Sequence, residues 1–160
     1  MKINSINKIL IALDYDPTAE KVAELGYFLA SSAGAEITIM HVVSLRESYT
    51  SLGHITVMGF AGHTEIEPII GNDIGLNKIA HNFLEKVKQH LNDESINILI
   101  ADGNTAEAIV KAGKDICADI IVLGSHSKKW RENILIGSVA EEVIHLSQIP
   151  LYIIPTKKNK

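Results

Sequence analysis

Asp119-Ile-Ile-Val-Leu123-Gly124-Ser-His-Ser127-Lys-Lys-Trp-Arg-Glu-Asn-Ile-Leu-Ile-Gly137-Ser138 is a short apolar run, then a stretch of small and polar residues, and it leads into the helix-like Val139-Ala140-Glu-Glu-Val-Ile144. A near-continuous apolar run of this length reads as a strand covered on both faces. A strand that opens through small residues onto a helix start makes an anion cradle. The small residues let the backbone approach a phosphate, and the unpaired N–H groups of the helix N-terminus point at negative charge. Ser138 is placed to cap that helix or to offer its hydroxyl to a phosphate oxygen. The same residues also suit a plain strand-loop-helix connection with a serine cap.

The pattern recurs along the chain. Lys8–Leu13, Glu36–Val43, Ile96–Ala101, Ile120–Leu123 and Leu151–Ile154 are short runs rich in Ile, Val and Leu. Between them lie helical periods: Val22, Leu25 and Leu29 in one, and Leu76, Ile79, Ala80, Phe83, Leu84, Val87 and Leu91 in a longer one. Thr18 is a candidate cap for the first helix and Gly34 its stop; Asn104 with Glu107 forms a capping pair before Ala106, Ile109, Val110 and Gly113. Pro150 and Pro155 bracket the last strand. Strands alternating with helices predict an α/β fold, a five-stranded parallel sheet that is doubly wound and Rossmann-like in three α/β/α layers. One domain is expected over 1–160, its core at about 8–155 and a solvated tail at 156–160. The exception to the rhythm is 44–72, which has no clean period and is punctuated by Gly53, Gly59, Gly62 and Gly71. It suits a lid, a partner surface or an extra short helix. His54 and His63 fall in it without a recognisable metal-ligand spacing and are expected to be solvated.

Composition narrows the partners. Apolar residues make up 46 % and charged residues 21 %, as in an ordinary globular protein, and the net charge of −4 argues against nucleic acid, whose binding needs basic surface. The single cysteine, Cys117, excludes an intrachain disulfide, and its neighbours Ile116 and Ala118 predict a packed thiol. The first apolar run, Ile9–Leu13, is too short for a signal or a membrane span and ends in Asp14, so no membrane association and a cytoplasmic location are expected.

In open parallel sheets ligands bind beyond the carboxyl ends of the strands, where the strand order reverses. If the first and fourth strands flank that point, Asp14 and Gly124 face each other across one crevice. The Asp14 carboxylate can accept from an adenine amino group or a ribose hydroxyl; it can equally serve as a turn residue bonded to its own backbone. Lys128, Lys129 and Arg131 bring positive charge beside the small-residue turn, or form a solvated face. Enzyme motifs are missing: there is no phosphate-loop Gly-x4-Gly-Lys-Ser/Thr, and Lys128 stands where a Gly-x-Ser-x-Gly elbow needs glycine. With no evident base or nucleophile, any ATP cleavage is expected to be slow.

Four separated segments together resemble the universal stress protein family: Lys8–Asp14, Ala35–Val43 with His41 and Val42, Asp102–Ile109, and Ala118–His126. The resemblance runs in order from about Lys8 to Pro155. It implies the strand order 3-2-1-4-5, a homodimer paired through Leu151–Ile154, and in one branch ATP, with an accompanying divalent ion such as Mg, in the crevice just described. That branch carries Gly-x2-Gly-x9-Gly-Ser/Thr; Gly124, Ser127, Gly137 and Ser138 fit it except that Ser127 replaces the second glycine. Carried over by position, the resemblance puts adenine near Ala12, Leu13, Asp14 and Val42. Leu123, Gly124 and His126 then lie along the ribose, and Ser127, Gly137, Ser138, Val139 and Ala140 along the phosphates. Trp130 falls in the loop over the site, where packing or exposure would serve it equally well.

Two functions follow from different classes. One is a nucleotide-binding stress-response dimer whose ligand acts as sensor or switch. The other is a dimeric interaction protein of the same fold that does not use nucleotide and works through a regulatory protein partner and the 44–72 segment.

Overall fold

The structure is a computed structural model and describes residues 5–43, 55–57, 64–66, 73–125 and 136–156. Five strands form the main sheet: β1 (Lys8–Ala12), β2 (Glu36–Val43), β5 (Asn97–Asp102), β6 (Ile120–Gly124) and β7 (Leu151–Ile154). They run parallel in the order β5-β2-β1-β6-β7, which is 3-2-1-4-5 when only these strands are numbered. Inside 44–72 the chain forms a separate antiparallel pair, β3 (Ile55–Val57) with β4 (Thr64–Ile66). No sequence period announced it, because three residues are too few to show one. His54 and His63 lie outside the described residues.

Among the described residues four helices cover the sheet: α1 (Ala19–Ala33), α2 (Asp73–Leu91), α3 (Thr105–Asp115) and α4 (Ser138–Leu146). Alternation along the strands sends side chains to two cores. Ile9, Ile11, Ile37 and Ile39 pack with Val22, Ala23, Phe83, Leu84 and Val87 of α1 and α2. Leu10, Met40, Val42, Ile121 and Leu123 pack with Ala106, Ile109, Val110, Ala140 and Val143 of α3 and α4. Two glycines let helices sit close to the sheet. A Cβ on Gly26 would lie 2.8 Å from Ile11 Cδ1, and one on Gly113 would lie 2.8 Å from Ile121 Cδ1 and 3.0 Å from Ile149 Cδ1. The buried line of α1 is therefore Val22, Ala23, Gly26 and Ala30, while Leu25 of the expected stripe is 38 % exposed.

At α1 and α3 the caps agree with the sequence in two places and differ in one. Gly34 ends α1 at φ 66°, the left-handed conformation that glycine adopts without steric cost. Asn104 caps α3, its Oδ1 accepting from the Glu107 N–H at 2.9 Å. Thr18 makes no side-chain cap bond; Asp16 closes the turn instead, its Oδ1 accepting from the Thr18 N–H at 2.9 Å and the Thr18 hydroxyl at 2.6 Å. Cys117 also departs from expectation. The chain reverses after α3 through bonds from Cys117 N–H to the Lys114 carbonyl and from Ala118 N–H to the Gly113 carbonyl. That reversal holds Cys117 at φ 55°, so its thiol faces out while Ala118 is buried. Among the described residues no helix is long and apolar enough to cross a membrane.

Candidate functional site

The strand order reverses between β1 and β6, so the carboxyl ends of these two neighbours, about 4.8 Å apart, border one crevice. β1 ends at Ala12, but the Leu13 N–H still donates to the Met40 carbonyl at 2.9 Å. The next carbonyl, that of Leu13, accepts from the side chain of His41, whose Nδ1 lies 2.8 Å away. A carbonyl only accepts, so Nδ1 carries the proton. After this bond the chain leaves the sheet. Asp14 is exposed, and its Oδ1 accepts from the Asp16 N–H at 3.2 Å. The turn role considered for Asp14 is thus real, and Oδ2 has no partner among the described residues.

β2 runs past the end of β1. Met40 turns its carbonyl toward β1, and Val43 turns its carbonyl toward β5, where it accepts from the Gly103 N–H at 3.3 Å. Backbone groups of alternate residues face opposite neighbours. The N–H and C=O of Val42 therefore face the β1 side at the level where β1 has already ended. Ala12 is half-buried and contributes little bulk beside that gap.

The other wall is built by Ser125. Its N–H donates to the Ile154 carbonyl at 2.9 Å, its hydroxyl accepts from the Thr156 N–H at 3.2 Å, and its carbonyl accepts from the Gly137 N–H at 3.0 Å. The last bond closes the long connection between β6 and α4, so that both its ends meet beside Gly124. Leu123 is buried, and Gly124 half-buried opposite Ile154. Of the two roles open to Ser138, capping α4 is the one the structure rules out: Gly137 is the cap residue, its carbonyl accepting from the Glu141 N–H at 2.9 Å, and Ser138 is the first helical residue with an exposed side chain. The N–H groups of Ser138, Val139 and Ala140 have no partner within the helix and emerge at the end of β6. Val139 is 38 % exposed, whereas the Ala140 side chain is in the core and offers only its backbone.

Ten of the expected contacts, Ala12, Leu13, Asp14, Val42, Leu123, Gly124, Gly137, Ser138, Val139 and Ala140, are thereby gathered at one end of the sheet. His126 and Ser127 lie outside the described residues, as do Lys128, Lys129, Trp130 and Arg131. Residues that sequence reasoning passed over are Ser125, His41, and Lys21, whose Nζ donates to the Pro155 carbonyl at 2.6 Å. For Ser125 the signal was its place inside the quoted motif; for His41 it was a polar residue within a buried strand. Two other features lie elsewhere. A shallow depression lined by Lys8, Glu36, Asn97 and Ile116 is at the opposite, amino ends of the strands. Glu20, Glu24 and His90 cluster on the outer face of α1 and α2, with His90 Nε2 2.8 Å from Glu24 Oε1 and 3.7 Å from Glu20 Oε1.

Comparison with known proteins agrees with this architecture. The model of the Universal stress protein family matches residues 5–155. Universal stress protein MJ0577 of Methanocaldococcus jannaschii is 31 % identical over 156 residues, which cover 95 % of this chain and 96 % of that protein. A solved structure of MJ0577 superposes with a TM-score of 0.71 at 27 % identity, covering 98 % of this chain and 100 % of the other. Two further structures share the fold. One is a universal stress protein in complex with cAMP, with a TM-score of 0.63 at 14 % identity, covering 96 % of this chain and 100 % of that one. The other is the universal stress protein from Archaeoglobus fulgidus in complex with dAMP, with a TM-score of 0.58 at 21 % identity, covering 94 % and 99 %.

Proposed function

The chain belongs to the universal stress protein family, and from that premise we propose that it is a stress-response protein whose crevice binds an adenine nucleotide, ATP for preference, as sensor or switch. The observation that carries this reading is the clamp from Gly137 N–H to the Ser125 carbonyl, which presents the first N–H groups of α4 beside the end of β6. A polyphosphate is matched by such a helix end because donors and dipole both favour negative charge. The other half of the site suits a purine edge. Val42 offers a backbone donor and acceptor past the end of β1, and the exposed Asp14 carboxylate can accept from an amino group or a ribose hydroxyl. Relatives of this fold in complex with cAMP and dAMP support an adenine ligand.

In this arrangement adenine lies against Ala12, Leu13, Asp14 and Val42. The ribose runs past Leu123, Gly124 and His126, and the phosphates meet Ser127 and the Gly137–Ala140 backbone. A divalent ion accompanying the triphosphate is held chiefly by the phosphates, with the Ser138 hydroxyl as a protein oxygen beside them. Serine at 127 in place of glycine weakens affinity by about tenfold if the turn needs positive φ, which puts binding in the micromolar range. Hydrolysis is slow or absent. The chain pairs with a second copy through β7, and its regulatory partner is a protein.

Calorimetry with MgATP, with nucleotide assayed after denaturing the freshly purified protein, tests the proposal. Micromolar binding at one site per chain is expected. No heat at millimolar ATP and no released nucleotide would instead favour the interaction protein that shares this fold without using nucleotide.

A further inference from the structure

We infer that His41 is the positioning residue for the base-binding half of the crevice, setting Asp14 against Val42 through two contacts of a single imidazole; this rests on the nucleotide reading of the same site. His41 occupies the face of β2 that Ile37 and Ile39 use for the α1–α2 core, and it is 2 % exposed. A polar ring placed there is costly unless its polarity is used. It is used on the residue before Asp14: Nδ1–H donates to the Leu13 carbonyl at 2.8 Å. The residue after Asp14 meets the same ring. Tyr15 lies over the imidazole with centroids 4.2 Å apart at 31°, and it abuts Phe83 of α2 edge-on at 5.1 Å and 77°. Phe83 backs the imidazole at 6.0 Å and 78°.

Asp14 is thus suspended between two neighbours held by one side chain, and that side chain belongs to the residue preceding Val42. The hydrogen bond also has a topological effect. The Leu13 carbonyl would carry the next rung to β2 had β1 run on; with the imidazole satisfying it, the chain can turn out of the sheet at Asp14 without burying an unpaired acceptor. The phosphate half is fixed independently, by Ser125 and Gly137 on the far side of β6. Loss of His41 therefore acts on base recognition and leaves the anion cradle in place.

Three substitutions separate the two contacts. His41→Phe keeps a ring and removes the donor; His41→Asn keeps an N–H at the same two-bond reach from Cβ and removes the ring; His41→Leu removes both. Tyr15→Leu removes the stacking from the half-buried loop side and serves if core variants fail to fold. The first readout is amide exchange without ligand. His41→Phe is expected to speed exchange at Leu13 and Asp16 about tenfold, the effect of one lost buried hydrogen bond, with α4 unchanged and His41→Asn close to the parent. The second readout is titration with ATP and with inorganic tripolyphosphate. ATP affinity is expected to fall about tenfold in His41→Phe and further in His41→Leu, and to fall by less in both His41→Asn and Tyr15→Leu, which keep the donor and lose only the ring contact, while tripolyphosphate affinity stays within about twofold. Equal losses for both ligands, unchanged ATP affinity, or unchanged exchange at Leu13 and Asp16 would overturn the inference. A parent chain that binds no ATP would remove the nucleotide reading alone, and the exchange data would still decide whether His41 positions this turn.

Discussion

Gly137→Val separates the phosphate cradle from the fold that carries it. Gly137 has φ −72° and ψ 158°, an extended conformation open to any L-residue, so the backbone itself is not strained by the change. The residue is buried, with its N–H on Ser125 and its carbonyl on Glu141. At this buried position an isopropyl group displaces its neighbours, at a cost of about 1–3 kcal/mol of overpacking. For a domain of this size that lowers Tm by about 2–4 °C per kcal/mol. The effect on an anion is larger. Each N–H donated to a charged acceptor contributes about 1.5–3 kcal/mol, and displacing a phosphate from two such groups weakens binding by more than about 100-fold. Calorimetry with MgATP beside circular-dichroism melting gives both numbers. A folded Gly137→Val chain that binds ATP like the parent would refute the argument and place the phosphates elsewhere. Gly137→Ala is expected to fall between the two.

Ser127→Gly should tighten ATP binding by up to about tenfold in the same titration, since it restores the residue that tolerates positive φ. The parent is expected to scatter light as a dimer at tens of micromolar; Ile153→Lys in β7, which among the described residues pairs only with β6 and carries a Tyr152 that is 44 % exposed, should then yield monomer or precipitate, and a monomeric parent would refute pairing through this strand. Asp119→Ala removes the carboxylate oxygen that accepts from the Asn7 and Lys8 N–H groups at 2.7 and 2.9 Å. Denaturant unfolding should show a loss of about 1–2 kcal/mol, with ATP affinity unchanged because the residue lies at the opposite end of the sheet.

What the sequence made legible was local. Glu36–Val43 and Leu151–Ile154 matched their strands because apolar runs and bracketing prolines are written in consecutive residues. The same holds for the Asn104 cap and the Gly34 stop. Where two local solutions competed, the sequence did not decide: Asp16 rather than Thr18 closes the entry to α1, and Gly137 rather than Ser138 caps α4. Cys117 was misjudged because a left-handed turn reverses the direction in which its side chain points. The walls of the crevice depend on contacts between distant residues. Leu13 and His41 are 28 positions apart, and Ser125 joins Gly137 and, from a second part of the chain, Ile154 and Thr156. No period or motif records such bonds, although the isolated imidazole in an otherwise apolar strand was a visible sign that a polar partner had to exist.

The central claim is a location, and an amide chemical-shift titration of the full chain with MgATP tests it most directly. The account predicts saturable shifts concentrated at Leu13, Asp14, Val42, Gly124 and Gly137–Ala140. Shifts confined to the amino ends of the strands near Lys8, Glu36 and Asn97, or none at millimolar nucleotide, would contradict it.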